Sequence, residues 1–164
     1  MVISILCVDN KYGIGKNNGL LFHLKKDMEF FKNTTKGHMV FMGENTLLSF
    51  PNQKPLKDRV NVVLSKEKSH KYEGCKNVHN FDKFIKILKK NGRKSDVFVI
   101  GGASIYNQTL PYVDKVLLTK VDADGEATLF FPNLDELPEW ECTEKGTPIQ
   151  DGEYQIRFTV YTRK

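Results

Sequence analysis

Asp27 stands where a carboxylate is costly. From Leu24 to Lys32 the apolar residues Leu24, Met28 and Phe31 recur at helical spacing, with Lys25, Lys26, Glu29 and Lys32 on the other side. Asp27 lies three residues after Leu24 and four before Phe31, so it shares the apolar stripe. A carboxylate buried without a partner costs several kcal/mol, and neither Lys25 nor Lys26 points its way. Hydrogen bonding to a ligand would account for the placement. A helix-start acid favoured by the dipole, or a wet edge position, fits the same segment. Three further places join small or hydroxyl residues to the ends of apolar runs: Gly43-Glu44-Asn45-Thr46, Ser65-Lys66 and Gly101-Gly102-Ala103-Ser104. Ligands of open α/β sheets gather at the carboxyl ends of the strands. Free N–H groups at helix starts, beside glycines that admit close approach, suit the pyrophosphate and extra phosphate of a dinucleotide. Plain turns would look the same, and neither G-x-G-x-x-G nor a Walker pattern is present.

The elements that must position these residues alternate between strand and helix. Val2–Val8 is an apolar run typical of a strand buried on both faces. The Asp27 helix follows, then strands at 39–42 and 60–64, a short strand near Val78, the Lys-rich helix, a strand at 97–100, a short helix at 103–108 and a strand at 115–121. Two further strands, 140–145 and 154–163, close the chain, and Pro148–Gly152 reads as the turn between them. This order predicts one domain over residues 1–164: an α/β fold whose mostly parallel central sheet has about eight strands, flanked by about four helices, with an antiparallel C-terminal edge. Asp9–Phe22, with Gly13, Gly15 and Gly19 among Lys11, Lys16, Asn17 and Asn18, reads as a surface loop or a mobile lid whose apolar end, Leu20-Leu21-Phe22, could close over a ligand.

Composition narrows the classes. A chain of 164 residues is long enough for a real core, and its net charge of +5 suits anionic partners. The basic run Lys83, Lys86, Lys89, Lys90, Arg93 and Lys94 alternates with Phe81, Phe84, Ile85 and Leu88 at helical spacing, the pattern of a solvated helix face rather than a nucleic-acid surface. The start lacks the basic residues and apolar length of a signal peptide, and no segment is long enough to span a bilayer. Cys7, Cys75 and Cys142 fit neither a disulfide framework nor a metal pattern, and the histidines show no ligand spacing. Cys7 reads as a small core hydrophobe. A reducing cytoplasm, no metal, no membrane and no nucleic acid are the expectations.

Taken together, the motifs resemble bacterial dihydrofolate reductase. The similarity runs through Ile14-Gly15-Lys16-Asn17-Asn18-Gly19-Leu20-Leu21-Phe22-His23-Leu24-Lys25-Lys26-Asp27-Met28-Glu29-Phe30-Phe31-Lys32 and Val40-Phe41-Met42-Gly43-x-x-Thr46. It continues in Pro55-Leu56-x-x-Arg59-x-Asn61-Val62-Val63-Leu64-Ser65, Val99-Ile100-Gly101-Gly102-Ala103-x-Ile105-Tyr106, Leu118-Thr119 and the 122–132 segment with Gly125 and Phe131-Pro132, in order over essentially the whole chain.

The resemblance implies hydride transfer from NADPH to 7,8-dihydrofolate, giving tetrahydrofolate. Asp27 would then hydrogen-bond the pterin and promote protonation of N5, with Thr119 in the same network and Phe22 beside it. Ile5, Leu6, Leu20, Met28, Phe31, Phe50, Leu56 and Ile100 would line the substrate, and Arg59 would grip the carboxylate of its glutamate tail. Without the family match, Arg59 reads as a surface arginine beside Asp58. For the cofactor, Cys7 and Ile14 would hold the nicotinamide amide through their backbone, near Gly15 and Leu20. Gly43, Glu44, Asn45, Thr46, Leu64, Ser65 and Lys66 would face the pyrophosphate and adenosine. Ile100, Gly101, Gly102, Ala103, Ser104, Ile105 and Tyr106 would complete the cradle, with a cis Gly101–Gly102 bond. A monomer and sensitivity to diaminopyrimidine and diaminopteridine antifolates are implied too.

Two departures from the pattern matter. Leu21 and Phe22 replace the family's usual proline and tryptophan, removing an N–H that can hold a water near Asp27. Glu44 stands where a basic residue is usual, and Ser104 where another often is. A carboxylate there should repel a 2′-phosphate and leave Lys66 as the main visible cation, so NADH becomes a possible second cofactor. Two other readings are a pyrimidine reductase of riboflavin synthesis on a related scaffold, and a non-enzymatic basic module binding nucleotides or nucleic acid.

Overall fold

The structure, a computed structural model, describes residues 1–16 and 19–164. In chain order its elements are β1 (Val2–Val8), β2 (Gly13–Gly15), α1 (Lys25–Thr35), β3 (Met39–Gly43), α2 (Glu44–Leu48), β4 (Val60–Leu64), β5 (Cys75–Val78), α3 (Phe81–Gly92) and β6 (Val97–Val99). There follow α4 (Ala103–Thr109), β7 (Lys115–Val121), β8 (Leu129–Phe130), β9 (Trp140–Lys145), β10 (Ile149–Asp151) and β11 (Tyr154–Arg163).

The central sheet runs β10-β11-β7-β1-β6-β3-β4-β5. Every pairing from β7 to β5 is parallel, and β11 is antiparallel to β7. β9 and β10 both pair with β11, against Thr159–Arg163 and Tyr154–Ile156 respectively, so together they form one interrupted edge, and the sheet is eight positions wide. That matches the expected architecture and corrects one detail. Pro148–Gly152 is not all turn: Ile149–Asp151 is a strand, and the chain reverses beyond it at Gly152, whose φ is +61°.

Alternation along the strands divides the core. In β3, Phe41 faces one side with Leu6, Phe84, Leu88 and Tyr106, whereas Val40 and Met42 face the other with Ile5, Leu47, Phe98 and Ile100. α3 covers the first side through Phe84, Ile85 and Leu88 and is capped by Asn80, whose side chain accepts from Lys83 N–H at 3.0 Å. The basic run on α3 thus sits on a helix packed by its apolar stripe.

α1 lies over the second side. It extends to Thr35, and its inward residues are Leu24, Asp27, Phe30, Phe31 and Thr35; the Phe30 ring packs on Phe158 at 4.7 Å between centroids. Met28 departs from the expected stripe and is 57% exposed. It stands about 40° round the helix from Leu24, far enough to reach the rim. The helix has no cap of its own at Leu24. Asp151 on β10 supplies one, its Oδ2 accepting from Lys26 N–H at 3.0 Å and Asp27 N–H at 3.2 Å.

Part of the glycine-rich connection after β1 forms regular structure. β2 pairs antiparallel with β8, Gly13 against Phe130 and Gly15 against Leu129. The buried Asp9 carboxylate accepts from the N–H groups of Lys11 (2.8 Å), Gly13 (2.7 Å) and Gly125 (3.0 Å). Glycine is required at 13: a Cβ there would lie 2.3 Å from that of Ala127. Asn17 and Asn18 lie outside the described residues.

Candidate active site

β1 and β6 pair only through Val2–Ser4. β1 then continues beside β7 as far as Val8, whereas Ile100 and Gly101 stay with β3 through Ile100 N–H to Phe41 O and Gly43 N–H to Gly101 O, both 2.9 Å. The carboxyl ends therefore part between β1 and β6. The chain also leaves β1 toward β3 but leaves β6 toward β7, so this gap is the topological switch point where open sheets bind ligands. Tyr106 on α4 reaches across the gap and donates from its hydroxyl to Ile5 O at 2.7 Å. Backbone groups two residues apart on a strand point the same way, so the Cys7 peptide faces the opening as well.

Asp27 stands at the gap on the first turn of α1. Thr119 on β7, the register partner of Cys7, donates from Oγ1 to Asp27 Oδ1 at 2.7 Å. Oδ2 makes no hydrogen bond among the described residues. Burial raises the carboxyl pKa, the Thr119 hydrogen bond opposes that rise, and the charge of Asp151 adds to it. The same surroundings act on two neighbours. The Cys7 thiol is raised by burial and then by Asp27, Asp9 and Asp151, which keeps it protonated. The Tyr106 hydroxyl is raised by burial and then by Asp27 and Cys7, which keeps it a donor. Cys7 is half-buried rather than a core residue, beside the cluster of Leu24, Val121 and Ile156 that Phe22 also joins. The Phe22 ring stacks edge-on against Tyr154 at 4.9 Å, and Gly125 leaves room for it, since a Cβ there would lie 3.1 Å from the ring.

Away from Asp27 the second core face becomes the cleft wall. Phe31, Phe50 and Leu56 are half-buried against the cluster of Ile5 and Ile100, whereas Met28 and Leu20 are 57% and 70% exposed. Leu6 is the exception among the expected substrate residues, because alternation turns its side chain into the opposite core and leaves only its backbone near the gap. Arg59 sits beyond Leu56. Its Nε donates to Lys57 O at 2.9 Å and its Nη1 to Thr35 Oγ1 at 3.1 Å, which ties it to the end of α1. It makes no ion pair among the described residues, so the rest of its fork is available. Burial lowers its pKa, and Asp58 opposes that shift. The turn holding Leu56 and Arg59 is clamped by the buried Asn61, which accepts from Leu56 N–H and donates to Leu56 O and Arg59 O at 2.9–3.2 Å.

The other arm of the cleft follows the ends of β6, β3 and β4. The Gly101–Gly102 bond is cis, as expected, and Gly101 has φ +122°, a conformation suited to glycine. Thr46 Oγ1 and the Tyr106 ring would each lie 3.3 Å from a Cβ at Gly101, and Ile105 would lie 3.0 Å from one at Gly43. Bare backbone thus lines this arm, with Asn45 and Ser104 exposed beside it and Ala103 and Leu64 half-buried. At the β4 end Glu44 is not a free carboxylate. Its Oε2 accepts from Ser65 Oγ (3.0 Å), His70 Nδ1 (2.7 Å) and the Tyr72 hydroxyl. The Tyr72 hydrogen bond, with those from Ser65 and His70, lowers the Glu44 pKa against the effect of burial. Lys66 is exposed. Ile14 and Gly15 lie on β2, where Ile14 packs half-buried against the core cluster of Leu6 and Tyr106.

Sequence reasoning missed Asp151, Asp9, His70, Tyr72 and the two asparagine clamps, Asn61 and Asn77, the latter accepting from Tyr72 N–H at 2.9 Å and donating to Tyr72 O at 3.0 Å. Each acts on a partner distant in the chain or sits in a turn that reads as ordinary polar surface. Only Asn61, just inside an apolar strand, carried a visible signal: a polar residue at a buried position needs partners.

A backbone-lined cradle and a half-buried acid at the switch point of a parallel sheet mark the ligand site of an α/β protein. The family model for dihydrofolate reductase matches residues 1–163. The dihydrofolate reductase of Staphylococcus haemolyticus is 34% identical over 161 residues, covering 97% of this chain and 93% of that protein. That of Bacillus subtilis (strain 168) is 32% identical over 166 residues, covering 100% and 95%. A solved structure of Enterococcus faecalis dihydrofolate reductase, complexed with NADP(H) and RAB-propyl, superposes with a TM-score of 0.86 at 27% identity and covers 100% of this chain and 96% of that one. The chain belongs to the dihydrofolate reductase family.

Proposed function

We propose that this protein reduces 7,8-dihydrofolate to tetrahydrofolate with NADPH through Asp27, with residues assigned as follows. The observation that carries the assignment is the Asp27–Thr119 hydrogen bond of 2.7 Å at the gap between β1 and β6, with the second carboxylate oxygen unengaged. Asp27 Oδ2 and the Thr119 hydroxyl face the pterin. In its apolar setting the carboxylate binds the ring's N–H groups strongly and favours the proton on N5, next to the carbon that receives hydride. NADPH supplies that hydride when bound. Its nicotinamide amide fits the open Cys7 peptide and the Ile14 backbone, and its pyrophosphate fits the side-chain-free arm at Gly43 and Gly101-Gly102, where a Cβ would crowd Ile105, Thr46 and Tyr106. The protein orients the two rings and excludes water.

Phe31, Phe50, Leu56, Met28, Leu20, Ile5 and Ile100 hold the pterin and benzoyl groups, and Arg59 takes the glutamate carboxylate on the N–H groups that Lys57 and Thr35 leave free. Phe22 walls the Asp27 side without a donor, so the proton reaches N5 without help from an indole N–H. Diaminopyrimidine and diaminopteridine antifolates bind through Asp27 by the same pairing. A cytoplasmic monomer with no nucleic-acid partner is part of this reading, and no helix among the described residues is long and apolar enough to cross a membrane. The whole-length family match favours this reading over a pyrimidine reductase of riboflavin synthesis or a nucleotide-binding module.

A spectrophotometric assay with dihydrofolate and each reduced cofactor tests the assignment. Wild type turns over. Asp27→Asn loses about 100-fold or more in kcat/KM near neutral pH while still binding NADPH. Equal rates in the two proteins would remove Asp27 from its role.

A further inference from the structure

We propose that Tyr72 and His70, together with Ser65, fix Glu44 as a built-in anion at the adenosine end of the cleft, tuning the cofactor site toward a free ribose diol and away from a phosphorylated one. The inference rests on the cofactor placement proposed above. Neighbouring strands lie about 4.8 Å apart, so the end of β4 is roughly 14 Å across the sheet from the end of β1. The parting of β1 from β6 adds to that distance, and a dinucleotide laid from the gap along the backbone-lined arm at Gly101 and Gly43 would bring its adenosine ribose toward Glu44 and Ser65.

Three donors converge on one oxygen of Glu44, while Oε1 makes no hydrogen bond among the described residues. The hydroxyls and N–H group that a phosphomonoester would need are therefore spent on an internal carboxylate. The remaining oxygen is a fixed acceptor, the group that a ribose hydroxyl satisfies and a phosphate dianion does not.

The cluster is held from behind. Ser65 is buried; its N–H donates to Val78 O at 2.9 Å, and its carbonyl accepts from His79 Nδ1 at 2.9 Å. Tyr72 is fixed by Asn77, which accepts from Tyr72 N–H at 2.9 Å and donates to Tyr72 O at 3.0 Å and Cys75 O at 3.1 Å. Asn61 clamps Leu56 across the same five-residue span one strand earlier. The same device thus sets both turns, one carrying Arg59 and the other Tyr72. Tyr72, its hydroxyl pushed up to about 12 by the Glu44 hydrogen bond, stays a neutral donor at physiological pH.

The test uses the intact protein as wild type, Glu44→Gln and Tyr72→Phe. Two readouts are taken: kcat/KM for NADPH and NADH with dihydrofolate, and calorimetric Kd for adenosine 2′,5′-bisphosphate and 5′-AMP. Glu44→Gln should raise the NADPH-to-NADH ratio about tenfold and tighten the bisphosphate relative to AMP by a similar factor. Tyr72→Phe, which frees the carboxylate to swing aside, should move both ratios the same way by about threefold, mainly through the cofactor KM. A merely structural role would weaken both cofactors alike. Ratios within twofold of wild type in both variants, or equal losses for both cofactors, would overturn the proposal. If wild type fails to reduce dihydrofolate with either cofactor, the proposed reaction falls, and the bisphosphate-to-AMP ratio still decides what the Glu44 cluster does.

Discussion

Asp27 and Glu44 are both carboxylates at the carboxyl end of one sheet, and their surroundings drive them in opposite directions. Asp27 has a single side-chain donor, Thr119, an apolar setting and the negative Asp151 nearby, so its pKa rises. Glu44 has three donors on one oxygen, and its pKa falls. In the proposed reaction the first would bind a ring that carries or gains a proton. The second is committed to being an anion. The contrast teaches that the number of donors aimed at a carboxylate, more than its presence, assigns its work.

The largest effect expected at the Asp27 end is the rate loss of Asp27→Asn, and it should come with a gain in stability. A carboxyl whose folded pKa lies above its unfolded value destabilises the native state at high pH, and that penalty fades as pH falls through the raised value. Asparagine carries no such penalty, so the variant should melt about 2–4 °C higher at pH 7, with the difference vanishing in acid. A thermal melt at two pH values checks this, and an unchanged difference would refute the desolvation account.

Arg59→Lys comes next. It should raise the dihydrofolate KM about tenfold by losing the bidentate fork, yet leave the KM of a pterin substrate lacking the glutamate tail unmoved. A smaller shift is expected for Thr119→Val. Removing the donor that lowers the Asp27 pKa should move the corresponding limb of the pH–rate profile to higher pH, with a loss in kcat of a few-fold. For Glu44→Gln the sign of the pH effect on stability reverses. A depressed carboxyl contributes stability above its unfolded pKa and loses it as pH falls through the folded one, so wild type should exceed the variant at pH 7 and converge with it in acid.

Much of the Asp27 end was legible because its signals are local. Leu24, Asp27 and Phe31 declare a helix with an acid on its inner side within eight residues, and Gly101-Gly102 closes an obvious strand. The order of apolar runs likewise fixed a parallel sheet with an antiparallel edge. What could not be read depends on distance. Asp151 caps a helix 124 residues earlier, and Thr119 meets Asp27 across 92. β2 escaped notice because two of its three residues are glycines, which carry no apolar alternation, and its partner β8 has two residues. The Glu44 cluster was half visible: the acid in the wrong place and Ser65 could be read, but not His70 or the Tyr72 that Asn77 holds over it.

The Asp151 cap carries a lesson about when such an enzyme comes alive. During translation, a ribosome-bound intermediate exposing everything from Ile5 to Thr119 would already hold the residues proposed above to meet the substrate. It would still lack the acceptor that seats the amides of Lys26 and Asp27. Turnover should therefore begin late, after the closing hairpin emerges, and its onset would time the arrival of that final edge rather than collapse of the core.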